Sequence, residues 1–245
     1  MQKKYLITGA TSGIGLAICS KLISNGDIVF AIGRDGNKVK KIKELYNSDT
    51  FNFISFDLSN TKMIETIFES LKINDGKLDG FVHCAGVEET IPLTLCSPDK
   101  ILNIFEINVF STIELVRNFT KKKYSNENAS IVLFSSVMGV LGQAGKVGSC
   151  STKSAILGLT KSSALEFAKR KIRINALLPG VVNTPMTEKL FSLLDKSQVD
   201  SIVNMHPLGI GEVEDIVPMV EFLLSEGSRW ITGQSIIVDG GYSIQ

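Results

Sequence analysis

The stretch LITGATSGIGLAI, residues 6–18, decides the fold. Its apolar opening ends at Thr8, three glycines follow at 9, 13 and 15, and an apolar pattern with helical spacing starts at Ile14. Glycine permits a tight turn and lets another group come close to the backbone. A helix that opens directly out of such a turn directs its free amide hydrogens at an anion. Strand, turn and helix in this order predict a βα unit whose mouth, formed by Gly9, Thr11, Ser12, Gly13, Ile14 and Gly15, suits a pyrophosphate.

Working outward, short β-rich apolar runs recur: KYLIT (4–8), IVFAIG (28–33), FNFISF (51–56), LDGFVHCA (78–85), SIVLFSS (130–136), IRINALL (172–178) and SIIVD (235–239). Between them, Ile14 to Asn25, Thr61 to Lys72, Pro98 to Lys123 and Cys150 to Lys169 carry apolar residues three and four apart. Strands apolar on both faces that alternate with helices predict a parallel sheet covered on both sides. The expected architecture is α/β, one doubly wound, Rossmann-like domain over residues 1–245 with a seven-stranded sheet. One long irregular segment, residues 183–212, follows Pro179-Gly180 and is interrupted by Pro185 and Pro207. It is placed to act as a substrate lid beyond the carboxyl ends of the strands.

The charges nearly cancel, 26 basic residues against 25 acidic. No overall field draws the chain to nucleic acid or to an anionic membrane, which leaves a small molecule held in a cleft as the expected partner. No window of about 18 apolar residues spans a membrane. Cys19, Cys84, Cys96 and Cys150 form no Cys-x-x-Cys pair, and MQKKYLITGA has no apolar run before its first glycine, so the chain reads as cytoplasmic with reduced thiols. The run Lys121 to Lys123 reads as last-turn lysines complementing a helix dipole. Cys150 reads as a core thiol and His206 as a solvated loop residue, with a substrate contact as its alternative. Glu88 and Glu89 either line the cleft or are surface charges, and no residue cluster has metal-ligand spacing.

The turn, taken with Asn108, Ser136, Lys153 and the ending ITGQSIIVDGGYSIQ, resembles the short-chain dehydrogenase/reductase family along essentially the whole chain, and its 3-oxoacyl carrier-protein reductases in particular. The resemblance implies an NAD(P)-dependent oxidoreductase that moves a hydride between a dinucleotide and a carbonyl or secondary alcohol. TGATSGIG (8–15) is similar to the family's cofactor turn. FDLSN carries Asp57 and Leu58, which resemble the residues that hold the adenine. The family's Asn-Asn-Ala-Gly stands here as His83-Cys84-Ala85-Gly86; Ala85 and Gly86 still permit close approach to the cofactor ribose, and His83 is left a structural role. LPGVVNTPM, with Pro179, Gly180, Val182 and Thr184, resembles the loop that holds the nicotinamide carboxamide. Arg34 at the end of the second strand favours NADPH, because a guanidinium pairs with a 2'-phosphate. NAD stays open because Asp35 is adjacent. The resemblance also implies a homotetramer or homodimer built on the long helices around 98–123 and 150–169 and on the C-terminal strand.

The family's catalytic tyrosine and lysine stand four apart on one helix face, so that the ammonium lowers the phenol pKa and holds the nicotinamide ribose. Lys153 matches the lysine, Ser136 the serine that holds the substrate oxygen, and Asn108 the residue that orients a water. The tyrosine position holds Ser149. An aliphatic hydroxyl is a far weaker acid than a phenol and is shorter, so proton transfer to the substrate fails. With the rest of the set present, a deliberate tyrosine-to-serine replacement that traps a bound complex is the first reading, and a natural non-catalytic dinucleotide sensor the second. The motifs leave the substrate open among acyl thioesters, sugars and steroids.

Overall fold

The computed structural model describes residues 2–34, 49–71 and 76–244. Seven strands form one sheet: β1 (Lys4–Thr8), β2 (Ile28–Gly33), β3 (Phe51–Ser55), β4 (Leu78–His83), β5 (Ser125–Phe134), β6 (Arg173–Pro179) and β7 (Ser235–Val238). All pair in parallel, in the order β3-β2-β1-β4-β5-β6-β7. Successive side chains on a strand point to opposite faces, and both faces are filled. Ile7 joins one core cluster with Ile18 and Leu22 of α1 (Gly13–Ser24) and Val220 and Leu223 of α8 (Val213–Leu224). Leu6 joins the other, with α2 (Ile64–Ser70), α4 (Ser111–Phe119) and α5 (Val147–Phe167). A fully buried Phe81 or Phe119 in this second cluster contributes roughly 1.5–3 kcal/mol.

Strand order reverses between β1 and β4, where Thr8 lies opposite His83. In open parallel sheets that reversal opens a crevice beyond the carboxyl ends of the strands, and ligands bind there. Gly9 and Ala85 meet at this point, Asn108 and Lys153 lie beside Gly86, and Thr184 comes close to Gly13.

Three features differ from the sequence reading. The stretch expected as one helix from Pro98 to Lys123 is α3 (Pro98–Phe105), a π-helical turn (Glu106–Phe110) and α4, which ends at Phe119. The three lysines therefore lie beyond the helix end. Lys121 pairs with Glu65 at 2.6 Å and Lys123 lies 4.5 Å from the Tyr124 ring centroid, so side-chain partners rather than the dipole hold these two. Strand β5 begins five residues early at Ser125, because Ser125 pairs with Leu78 ahead of an irregularity in the β4–β5 register. The segment 183–212 is not irregular but carries α6 (Pro185–Phe191) and α7 (Lys196–Asn204). Pro185 fits the first turn of α6, where no backbone donor is needed. A capping box between Asp195 and Gln198 starts α7. No helix among the described residues is long and apolar enough to cross a membrane.

Candidate active site

The glycine turn leaves no room for side chains. Gly9 has φ +67°, and a Cβ added there would lie 2.8 Å from the Ala85 amide nitrogen. A Cβ on Gly15 would run into the Gly9 carbonyl. Helix α1 has no acidic residue in its first turn, and its N-cap Ser12 makes no side-chain capping bond. Its free amides and positive dipole end therefore stay available for an anion. Thr11 packs against Gly33 at the end of β2, and Ile14 packs on the core. Thr184 comes close to Gly13, which brings the loop after β6 to the mouth of the turn. This cradle fits a dinucleotide pyrophosphate.

His83 supplies the seam of the site. Its Nδ1 is 2.7 Å from Thr8 Oγ1 and its Nε2 is 2.9 Å from Thr112 Oγ1. Because the Thr112 hydroxyl donates to the Asn108 carbonyl at 2.7 Å, it accepts from His83. The imidazole is thus neutral and protonated on Nε2, with the Thr8 hydroxyl donating to Nδ1. Thr8 Oγ1 in turn accepts from the Ala85 amide at 3.3 Å. Burial, helped by the nearby Lys153 charge, brings the His83 pKa down to about 3. One hydrogen-bonded chain therefore runs from the backbone beside the glycine turn to the backbone of Asn108, and His83 has the structural role expected of it.

Asn108 lies within the π-helical turn, buried, and clamps the loop after β4. Its Oδ1 accepts from the Val87 amide at 2.8 Å while its Nδ2 donates to the Val87 carbonyl at 2.9 Å and to Thr152 Oγ1 at 3.2 Å. Lys153 Nζ donates to the Phe134 carbonyl at 2.9 Å and lies beside Gly86 and Asn108. Enclosure of the ammonium lowers its pKa to about 8. Ser136 caps the turn after β5, accepting from the Met138 amide at 3.2 Å. Ser135 donates to the Lys153 carbonyl at 2.8 Å, the structural role the sequence assigns it.

Ser149, 4% exposed, lies one turn ahead of Lys153 on α5. Its hydroxyl is 3.4 Å from both the amide and the carbonyl of Glu89, so it bonds to the loop after β4. That loop is held along its length, since Glu88 forms an ion pair with buried Lys146 at the start of α5 and Ile91 donates to Gly145 O at 2.8 Å. Glu88 is accordingly neither a free surface charge nor unpartnered. Lys146, Thr8, Thr112 and Thr152 escape the sequence reading. Their partners are distant in the chain, and no periodicity or motif marks such pairs.

Around the rest of the crevice, Arg34 is exposed at the end of β2. The Asp57 carboxyl is held below its usual range by the Ser59 amide and also by the Arg34 charge, and Leu58 is buried. Asp35 lies outside the described residues. Pro179 ends β6, and Gly180 packs on Asp239, where a Cβ would meet Asp239 Cα at 2.9 Å. Val182 is buried, and its carbonyl accepts from Thr187 Oγ1 at 2.6 Å. His206 is neither solvated nor open to a substrate. It is 4% exposed and bonded on both ring nitrogens, because the turn after α7 folds it under the loop that follows β6. Cys150 is half-buried, not a full core thiol, and the described cysteines are all free.

A doubly wound sheet, a glycine-cradled helix start at the strand reversal and a lysine on the helix beside it define a dinucleotide-binding oxidoreductase. A family model described as enoyl-(acyl carrier protein) reductase matches residues 9–243. The chain is 33% identical over 240 residues to a 3-oxoacyl-[acyl-carrier-protein] reductase of Rickettsia felis, covering 98% of this chain and 96% of that protein. It superposes over the full length of both chains on ElxO with NADP bound, TM-score 0.88 and 30% identity, and equally on a tyrosine-to-phenylalanine variant of ElxO with NADPH bound. A 4-hydroxyisoleucine dehydrogenase complexed with NADH matches with TM-score 0.88, 29% identity and full coverage of both chains. The chain belongs to the short-chain dehydrogenase/reductase family of NAD(P)-dependent oxidoreductases.

Proposed function

We propose that the chain binds NADPH in preference to NADH, receives a carbonyl or secondary-alcohol substrate, and is catalytically disabled by serine at position 149. The observation that carries this is the Ser149 hydroxyl, buried one turn before Lys153 and bonded to the Glu89 backbone. A serine there has neither the reach nor the acidity of a phenol. A bound nicotinamide dinucleotide supplies the hydride. Gly9, Gly13, Gly15 and the α1 amides hold its pyrophosphate, Asp57 and Leu58 its adenine, Ala85, Gly86 and Lys153 its ribose, and the loop from Pro179 to Thr184 its carboxamide. Arg34 pairs with the 2'-phosphate. Ser136 holds the substrate oxygen and Asn108 orients a water. One replacement of the kind made to trap a complex accounts for the serine at 149, and His83-Cys84 is a separate departure.

Relatives named for 3-oxoacyl thioesters support a carbonyl substrate. The exposed apolar side chains of the α6–α7 segment, Met186 and Leu193 among them, support a lid over an apolar group. Trp230, 96% exposed, and Leu165, 81% exposed, support a homotetramer, and the free thiols support a cytoplasmic location. Restoring the tyrosine is the test. Ser149→Tyr should oxidise NADPH with at least one of a panel of ketones, sugars and acyl thioesters on which the serine chain stays idle. The second reading, a dinucleotide sensor, is favoured by the way Ser149 and Lys146 hold the loop after β4. It predicts that the tyrosine form binds NADPH and remains idle across the panel.

A further inference from the structure

The buried His206 lies outside the catalytic set, yet its bonds lead to the dinucleotide site. Its Nδ1 is 2.8 Å from the Ile202 carbonyl of α7, which only accepts, so Nδ1 carries the proton. Its Nε2 is then an acceptor, and the Val181 amide donates to it at 3.3 Å. The ring stacks on Tyr242, with centroids 4.7 Å apart. Neutral His206 thereby ties three segments together: the end of α7, the C-terminal turn and the loop that leaves β6. The Val181 carbonyl accepts from Gly211 at 3.0 Å and Asn183 donates to Gly211 O at 2.7 Å, so residues 181 and 183 of that loop are pinned from both sides.

We propose that His206 is a positioning residue of the dinucleotide site: by accepting from the Val181 amide it fixes the Gly180–Val181 peptide, and with it the start of the loop whose Val182 backbone receives the nicotinamide end. This rests on the reading that the loop from Pro179 to Thr184 holds the dinucleotide. Without the acceptor, the half-buried Val181 amide loses its partner, and the peptide turns to find another. Binding then has to restore the orientation, and affinity falls by that amount.

Two isosteric variants separate this role from packing. His206→Gln places an oxygen near Nε2 and keeps the acceptor for Val181. His206→Asn keeps the donor to Ile202 and loses that acceptor. NADPH titrated by fluorescence, well below the melting temperature of each variant, should bind His206→Gln within about two-fold of the wild-type chain and His206→Asn about ten-fold more weakly, the scale of one hydrogen bond. Equal affinities for both variants, or equal losses in both, overturn the positioning role. A wild-type chain that does not bind NADPH refutes instead the dinucleotide reading on which it rests. Should His206→Asn not fold, amide exchange at Val181 decides. The role requires slow exchange in the wild-type chain and in His206→Gln, and fast exchange in either overturns it.

Discussion

The two sides of the crevice are built in opposite ways. On the β1–α1 side the constraints act through backbone: a left-handed Gly9 against Ala85, an α1 start free of capping side chains, and Gly15 against Gly9. On the β5–α5 side they act through side chains: Asn108 on Val87, Lys153 on Phe134, Ser149 on Glu89. On the second side Ser149, where the proposed function places a missing phenol, bonds to the loop after β4. A backbone cradle cannot lose one function and keep its shape, because a Cβ at Gly9 or Gly15 would displace main chain. A side-chain constellation can lose one member and stay folded. The proposed function therefore treats binding and turnover as separable, and four measurements test that separation.

The largest effect is expected at position 149. Ser149→Tyr should raise turnover by about two orders of magnitude or more, the scale of general acid catalysis, with NADPH affinity barely changed. A variant whose NADPH affinity falls in step with any gain would show that the two sides are coupled. Next comes the seam itself. His83 titrates near its ordinary value when unfolded and at about 3 when folded, so only the unfolded chain takes up its proton between those values. Stability from His83 is complete above about pH 6.5 and is lost as the pH falls toward 3, at about 1.4 kcal/mol per pH unit. Urea unfolding at about pH 7 and pH 4.5 should therefore show a larger acid loss for the wild-type chain than for His83→Asn, and parallel losses would remove the histidine from the account.

On the second side, Lys153→Met should weaken NADPH binding by roughly ten- to a hundred-fold, as expected for a lost charge-assisted hydrogen bond, while the melting temperature stays close to that of the wild-type chain. Unchanged affinity would leave the lysine a purely structural tie to Phe134. The smallest effect belongs to the first side. Arg34→Ala should cost about ten-fold in NADPH affinity and nothing in NADH affinity. Equal affinities for both cofactors before the substitution would exclude the arginine as the phosphate partner.

Much of this was legible in the chain. The run from Leu6 to Ile18 implied strand, turn and helix, because apolar periodicity and glycine spacing are local properties. The alternation of apolar runs and helical stretches implied a parallel sheet with both faces covered, and a strand followed by a right-handed crossover leaves few other arrangements. The serine at 149, four residues before Lys153 and on the same helix, was legible as well; that it replaces a phenol belongs to the proposed function. The π-helical turn that seats Asn108 was not visible, since one extra residue in a helical turn leaves the apolar pattern nearly intact. Nor was the order within residues 183–212, where two prolines read as breaks although one of them starts a helix.

What the sequence by itself determined was therefore most of what near neighbours along the chain set: the seven strands, the helices with plain apolar periodicity, the glycine turn and the four-residue spacing of Ser149 and Lys153. Only the tertiary structure decided what the isolated polar residues do. His83 became a neutral bridge from Thr8 to Thr112, His206 a buried acceptor for Val181, and Lys146 the partner of Glu88, each through contacts between segments 25 to 75 residues apart. The physical reason is that a buried polar group must find a partner, and where that partner lies is fixed by how strands and loops come together, which no local pattern records.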